Sequence, residues 1–127
     1  MFTLWLAKRC GCLLSIETDE AWHGKIKERL PENVDYRLRP RALCHEISEG
    51  PFDLAIVDGH NRDRAVETAI GAVRSGGYIF LDNSDVYEGE YIAARELLIS
   101  AARRVEIFND FYPTSVSASE SILAQTL

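Results

Sequence analysis

Apolar residues along the chain follow two different spacings, one typical of strands and the other of helices. Short apolar runs predict strands at residues 12–17 and 78–81, and a nearly unbroken run at 52–57 predicts a central strand covered on both faces. Residues 34–38 alternate between apolar and charged side chains, which is typical of a strand with one wet face at a sheet edge.

Helical spacing of apolar residues separates these strands. Asp19 is a good N-cap for one of the helices, and the predicted helices span residues 3–10, 19–30, 40–48, 62–74 and 89–103. Strands that alternate with helices of this length favour an α/β fold with a mostly parallel sheet and right-handed crossovers. Two closing strands, at 105–108 and 121–124, are joined by a loop at 109–117 and predict an antiparallel hairpin.

Size, composition and charge narrow the possible functions. With 127 residues, the chain has room for one domain with a single core. Its net charge of −6, with no basic run, disfavours a nucleic-acid partner. No apolar stretch is long enough to span a membrane, so we expect a cytoplasmic protein with no membrane partner. An odd number of cysteines favours buried free thiols in a reducing compartment, at Cys10, Cys12 and Cys44.

Three predicted strands end in a carboxylate. Glu17 closes the first apolar run, Asp58 follows the run at 52–57, and Asp82 follows the run at 78–81. In open α/β sheets, ligands bind at the carboxyl ends of the strands, and an acid there can hold the hydroxyls of a ribose. The repeated placement therefore predicts one ligand cleft along one edge of the sheet.

Three segments of the chain resemble motifs of one family. Residues 15–22 (SIETDEAW) resemble the second strand of class I S-adenosylmethionine-dependent methyltransferases, residues 52–60 (FDLAIVDGH) the fourth, and residues 76–83 (GGYIFLDN) the fifth. The match runs in order from about residue 3 to residue 83, and the three motifs together are more specific than any one of them.

The resemblance implies a Rossmann-like three-layer sandwich with strand order 3-2-1-4-5-7-6 and an antiparallel last strand. It also implies that S-adenosylmethionine binds near Glu17, Thr18 and Asp58, with the Glu17 carboxylate on the ribose. A carboxylate suits that role because it can accept two charge-assisted hydrogen bonds from a vicinal diol. The alternative is that Glu17 is a surface or capping acid beside the helix that begins at Asp19.

The family's first strand and its glycine-rich loop have no counterpart in this sequence. The ribose acid normally follows the glycine fingerprint by about 20 residues, and counting back from Glu17 leads to a point before Met1. Two explanations stay open: Met1 is internal to a longer gene, or the chain is a degenerate member with altered packing. In either case the neighbours of the missing central strand would expose an edge, which favours a homodimer.

The resemblance also suggests chemistry at the strand ends. Asp58, Asp82 and Asn83 match the Mg²⁺ ligands of catechol-type O-methyltransferases in residue type and strand position, and oxygen ligands suit that hard cation. Metal-free relatives share the Asp–Asn pair, and the alternative is that Asp58 lines the cofactor pocket while Asp82 and Asn83 begin a turn. His60 is a candidate general base, because an imidazole can take a proton from a hydroxyl near physiological pH. The other reading of His60 is an exposed loop residue.

The remaining histidines are expected to have no catalytic role. His23 is predicted on the outer face of its helix and His45 in the short helix at 40–48. Two functions then compete: O-methylation of a small molecule, with Asp58 and His60 near the reacting centre, or a non-catalytic remnant that serves as an oligomerising or binding module.

Overall fold

The computed structural model describes residues 2–111 and 117–127. The chain divides into two compact units, Met1–Cys44 and His45–Leu127, and each is described here by itself. The expectation of a single domain over residues 1–127 stays a prediction. No helix in the described ranges has both the length and the apolar character needed to cross a membrane.

The first unit is built around two parallel strands. Strand β1 pairs with β2 in a register that sets Leu13 opposite Val34 and Glu17 opposite Leu38. Asp19 caps the helix between them as predicted, since its Oδ1 accepts a hydrogen bond from the backbone N–H of Trp22 at 2.7 Å. The elements are α1 (Phe2–Ala7), β1 (Leu13–Glu17), α2 (Glu20–Lys27), β2 (Val34–Leu38) and a 3-10 turn (Arg41–Leu43).

The helix predicted at 40–48 is wrong, because only the single 3-10 turn at Arg41–Leu43 forms there. Leu43 in this turn remains 43% exposed. A short helix in water depends on burying one face, and this segment does not bury one. The cysteine prediction needs a similar correction: none of the three forms a disulfide, but Cys10 and Cys12 are exposed rather than buried.

The second unit contains a four-stranded sheet in the order β3-β4-β6-β5. β3 is parallel to β4, whereas β6 is antiparallel to both of its neighbours, so β3, β4 and β5 point the same way. This is the order that the resemblance implies for its fourth, fifth, seventh and sixth strands. The elements are β3 (Phe52–Val57), α3 (Arg62–Ala72), β4 (Val73–Leu81), α4 (Gly89–Ala101), β5 (Ala102–Phe111) and β6 (Ala118–Thr126).

The core of this unit lies between one face of the sheet and its two helices. Val66 and Ala69 of α3 and Ala94 and Leu98 of α4 belong to one buried cluster with inward residues of β4 and β6, namely Ile79, Leu81, Ile122 and Ala124. Residues two apart on a strand share a face, so the pairs on β4 and β6 present a continuous apolar surface to both helices.

The prediction that the strand at 52–57 is central and doubly covered is wrong for this sheet. β3 lies at the edge of the four-stranded sheet, with β4 as its one neighbour in it. Leu54 is 45% exposed because it points away from the face that α3 and α4 cover. An apolar run shows that a strand is hydrophobic, but it does not show how many neighbours the strand has.

The helix-to-strand boundaries also differ from the predictions. α3 ends at Ala72 and α4 at Ala101, and Val73 and Ala102 already have extended backbone. β5 continues to Phe111 and pairs with β6 as far as Ala118, so the predicted loop is wrong at residues 109–111. Its residues 112–116 lie outside the described residues. Backbone pairing continues through polar positions, which side-chain periodicity alone does not reveal.

We expect Gly77→Ala to destabilise the second unit. A Cβ atom at Gly77 would lie 2.6 Å from Val73 Cγ1 and 2.9 Å from the Asp53 carbonyl oxygen, so strand backbone would have to shift. Overpacking of this kind costs about 1–3 kcal/mol in the free energy of unfolding, measurable by urea denaturation. Gly71→Ala is the control, because its Cβ would meet no heavy atom within 4 Å and a helical alanine adds up to about 1 kcal/mol. Equal stability of the two variants would contradict the expectation.

Candidate functional site

The parallel strands β3 and β4 end side by side in two carboxylates. Asp58 follows β3 directly and Asp82 follows β4, and the Asp82 N–H donates to the Val57 carbonyl at 3.1 Å. The side chains of Asp58 and Asp82 are near enough to affect one another electrostatically. The structure thus brings together the two acids that the sequence placed at neighbouring strand ends in this unit.

The pKa of Asp58 is raised above its ordinary value of 3.8. The largest cause is partial burial, which disfavours the charged form; the negative charge of Asp82 and the hydrogen bond to it add to the effect. Arg62 opposes the shift.

Arg62 is the central residue of this cluster, and the sequence analysis missed it. Its side chain is buried, with the residue 4% exposed. Nε donates to the Gly59 carbonyl at 3.1 Å, Nη1 donates to the Asp82 carbonyl, and Nη2 donates to Asn83 Oδ1 at 3.4 Å. Nη2 also lies 3.6 Å from Asp58 Oδ1, and the guanidinium carbon lies 4.7 Å from the centroid of the Tyr91 ring. Each part of the guanidinium therefore meets an acceptor or an aromatic face.

The position of Arg62 follows from the turn between β3 and α3. Asn61 adopts a left-handed backbone (φ 52°), and Arg62 is the first residue of α3. A cation at a helix N-terminus is unfavourable on its own, so the arginine depends on the acids and carbonyls around it. The spacing of Asp58 and Arg62, four residues apart, was the available signal for this pair.

Two serines of β6 hold the acid and amide that follow β4. Ser121 Oγ donates to Asp82 Oδ1 at 2.8 Å, and Asn83 Nδ2 donates to Ser119 Oγ at 2.9 Å. Asn83 has a left-handed backbone (φ 51°), which asparagine tolerates better than most residues. Its Nδ2 contact with Ser119 directs its Oδ1 toward Arg62. The Val86 N–H donates to the Asn83 carbonyl at 3.4 Å, so a turn begins at Asn83.

A second polar group lies beside this cluster. Ser84 is buried; its N–H donates to the Glu120 carbonyl, and its Oγ to Glu120 Oε1, both at 2.8 Å. Arg95 Nε donates to the same Oε1 at 3.3 Å. These contacts tie α4 and the segment after β4 to β6, which limits how far the strand ends can move.

His60 lies half-buried two residues beyond Asp58. The structure therefore places it at the same end of β3, and its role as a general base stays a prediction. Among the described residues, no group of three histidine, cysteine, aspartate or glutamate side chains is arranged to hold a metal ion. Asp58, Asp82 and Asn83 do lie together, so the candidate Mg²⁺ ligands are two carboxylates and one amide.

The first unit holds the other predicted acid. Glu17 Oε1 accepts hydrogen bonds from the N–H groups of Thr18 and Asp19, at 2.8 and 2.9 Å, which fixes the carboxylate at the end of β1. A carboxylate offers about four acceptor positions, so these two bonds leave room for further donors. Glu17 and Asp58 belong to different units, and their convergence in one cleft stays a prediction.

The placement of His23 on the outer face of its helix is wrong. Its ring stacks on Tyr36 of β2, with centroids 4.6 Å apart, and its Nε2 is buried with no hydrogen-bond partner in the described part of the chain. The pKa of Tyr36 is raised, first by burial and then by the charges of Glu17 and Asp19. His23 and Tyr36 therefore lie near the strand-end acid, although the sequence analysis gave them no role.

Comparison with known proteins identifies the fold. No family model and no curated protein matches the chain. Among solved structures, the chain is similar to the O-methyltransferase TomG from Streptomyces achromogenes in complex with SAM (TM-score 0.73, 17% identity, 97% of this chain and 66% of that one). It is also similar to the O-methyltransferase from Bacillus cereus in complex with SAH (0.71, 20%, 98% and 68%).

A third similar structure is the N-methyltransferase NodS from Bradyrhizobium japonicum (TM-score 0.75, 15% identity, 98% of this chain and 79% of that one). The chain has the fold of class I S-adenosylmethionine-dependent methyltransferases. The resemblance seen in the three sequence motifs and the Rossmann-like α/β fold class are thereby confirmed.

The methyltransferase fold does not select an acceptor. Structures similar to the chain also include an rRNA methylase from Streptococcus thermophilus and a tRNA (m1A58) methyltransferase from Aquifex aeolicus. The chain spans about two thirds of the length of the two O-methyltransferases, at 66% and 68%. The fold alone therefore does not identify the substrate of this chain.

We expect the free energy of unfolding of the parent protein, compared with that of an Asp58→Asn variant, to decrease as pH rises. Because the folded pKa of Asp58 is raised, the protonated form favours folding, and that contribution is lost as pH rises through the folded pKa. Urea denaturation of both proteins between about pH 3.5 and pH 8, around the ordinary range of a carboxyl group, measures the difference.

Glu67→Gln is the control for Asp58→Asn, because Glu67 is an exposed acid of α3 paired with Arg64. The difference in free energy of unfolding between the parent protein and Glu67→Gln should not decrease with rising pH in the same way. A parent protein that instead gains stability over Asp58→Asn as pH rises would contradict the raised pKa.

Proposed function

We propose that the chain carries the S-adenosylmethionine-dependent methyl-transfer site of a cytoplasmic enzyme that O-methylates a small molecule. The observation that supports it most is the pair of adjoining acids at the ends of β3 and β4 in a methyltransferase fold. In sheets of this kind, ligands bind beyond the carboxyl ends of the strands. The O-methyltransferases among the similar structures favour a hydroxyl as acceptor.

Glu17 and the adjoining Thr18 would hold the cofactor. The Glu17 carboxylate is held at its strand end by two backbone N–H groups through one oxygen, and it retains acceptor capacity for a ribose diol. The Glu17 carboxylate fits a ribose diol in its chemistry. When bound, S-adenosylmethionine supplies an electrophilic methyl group.

Asp58 and His60 would act on the acceptor. Partial burial and the neighbouring Asp82 make the Asp58 carboxylate a better proton acceptor than an ordinary one, because its pKa is raised. His60 follows at the same strand end and would take the hydroxyl proton at its imidazole nitrogen. Alignment of the acceptor oxygen supplies most of the remaining rate, since methyl transfer needs no covalent step on the protein.

We expect S-adenosylmethionine to bind the full chain with a Kd of about micromolar to tens of micromolar by isothermal titration calorimetry. Glu17→Ala should abolish the binding, because the ribose hydroxyls would lose their charged acceptor. Glu20→Ala is the matched control, since it removes an exposed acid from the first turn of the adjoining helix. Heat that is absent at millimolar cofactor, or that survives in Glu17→Ala, would reject this cofactor site.

We expect His60→Gln to lower kcat by about 100-fold or more at neutral pH, as for loss of a general base, with the cofactor Kd unchanged. Transfer of a labelled methyl group from S-adenosylmethionine to a panel of catechols and phenols measures the rate. His45→Gln is the control, because His45 is the other half-buried histidine of the second unit. Equal loss of kcat in both variants would argue against a role for His60 as base.

A further inference from the structure

We propose that the Arg62 guanidinium is the resident cation of the strand-end cluster formed by Asp58, Asp82 and Asn83, and that it takes the place a divalent metal ion would need. The proposal concerns cation binding alone and does not rest on the proposed methyl transfer. Three sets of contacts among the described residues support it: the hydrogen bonds and ion pair of Arg62, the hydrogen bonds of the two serines of β6, and the contact of Arg62 with the Tyr91 ring.

One nitrogen of Arg62 already occupies the position between two of the candidate metal ligands. Nη2 lies 3.4 Å from Asn83 Oδ1 and 3.6 Å from Asp58 Oδ1. A metal ion bound to both oxygens would have to touch the same two atoms that face this nitrogen. The oxygens therefore converge on a positive charge that the chain itself supplies.

Other hydrogen bonds orient the Asp82 carboxylate and the Asn83 amide. Ser121 Oγ donates to Asp82 Oδ1, and Asn83 Nδ2 donates to Ser119 Oγ, which sets the amide so that its oxygen faces Arg62. A metal ion prefers several oxygens in a near-octahedral shell, whereas here Asp58 Oδ1 and Asn83 Oδ1 face one nitrogen of a planar guanidinium. The arrangement fits a guanidinium better than it fits Mg²⁺.

Arg62 cannot easily leave this position. It is 4% exposed, it donates to the carbonyls of Gly59 and Asp82, and its flat face lies over the Tyr91 ring. A guanidinium stays charged in proteins, so it would repel a nearby divalent ion. Moving the side chain aside would leave a buried charge without its partners, which is strongly unfavourable.

The test compares Mn²⁺ binding by the full chain and by Arg62→Gln and Arg62→Lys, followed by the electron paramagnetic resonance signal of free Mn²⁺. The parent chain and Arg62→Lys, which keep the positive charge, should show no saturable binding up to millimolar Mn²⁺. Arg62→Gln, which removes the charge but keeps amide donors, should bind at least about tenfold more tightly than the parent chain. A purely structural role for Arg62 would not separate glutamine from lysine in this way.

Two results would overturn the proposal. One is stoichiometric Mn²⁺ binding by the parent chain that is lost in Asn83→Ala, which would show that the cluster holds a metal beside Arg62. The other is a folded Arg62→Gln variant with no gain in Mn²⁺ affinity. If Arg62→Gln does not fold, the titration of the parent chain with its Asn83→Ala partner still decides. Neither measurement uses the cofactor, so failure here is distinct from failure of the proposed function.

Discussion

A buried positive charge must be surrounded by acceptors, and Arg62 meets this requirement where β3 and β4 end. Its donors reach the Gly59 carbonyl of one strand-end segment and the Asp82 carbonyl of the other. The same guanidinium faces Asp58, so the acid pair is held in contact although each carboxylate repels the other when both are charged. The geometry of the candidate site in this unit therefore depends on one side chain at the start of α3.

The hydrophobic core explains why that arrangement is rigid. α3 and α4 pack through Val66 and Leu98 against Ile79 and Ile122, each of which is at most 1% exposed. Because α3 is anchored to the sheet by this packing, its first residue is fixed relative to the ends of β3 and β4. Close packing of this kind transmits small displacements rather than absorbing them. The positions of the polar side chains in the cluster thus depend on apolar contacts at the middle of α3.

The sequence predicted the strands and the strand-end acids because both depend on local pattern. An apolar run at 52–57 and an acid at its end are visible without knowing any partner, and the fold confirms their order. Three features were not predicted: the number of neighbours of β3, the extension of β4 back to Val73, and the stacking of His23 on Tyr36. Each of these depends on contacts between residues distant in sequence. Arg62 was missed for the same reason, since an arginine that opens a helix is ordinarily solvated.

The fold identifies the architecture of the chain, whereas the residues of the site are what could select a substrate. The same architecture occurs in an O-methyltransferase, an N-methyltransferase and a tRNA methyltransferase, so the fold alone does not identify the ligand of this chain. At the ends of β3 and β4 in this chain, the guanidinium of Arg62 lies against Asp58 and Asn83. A guanidinium offers fixed, planar hydrogen bonds, whereas a metal ion offers open coordination positions to a substrate oxygen. In this cluster Arg62 therefore acts on Asp58 through position and charge, and it offers no coordination position to a ligand.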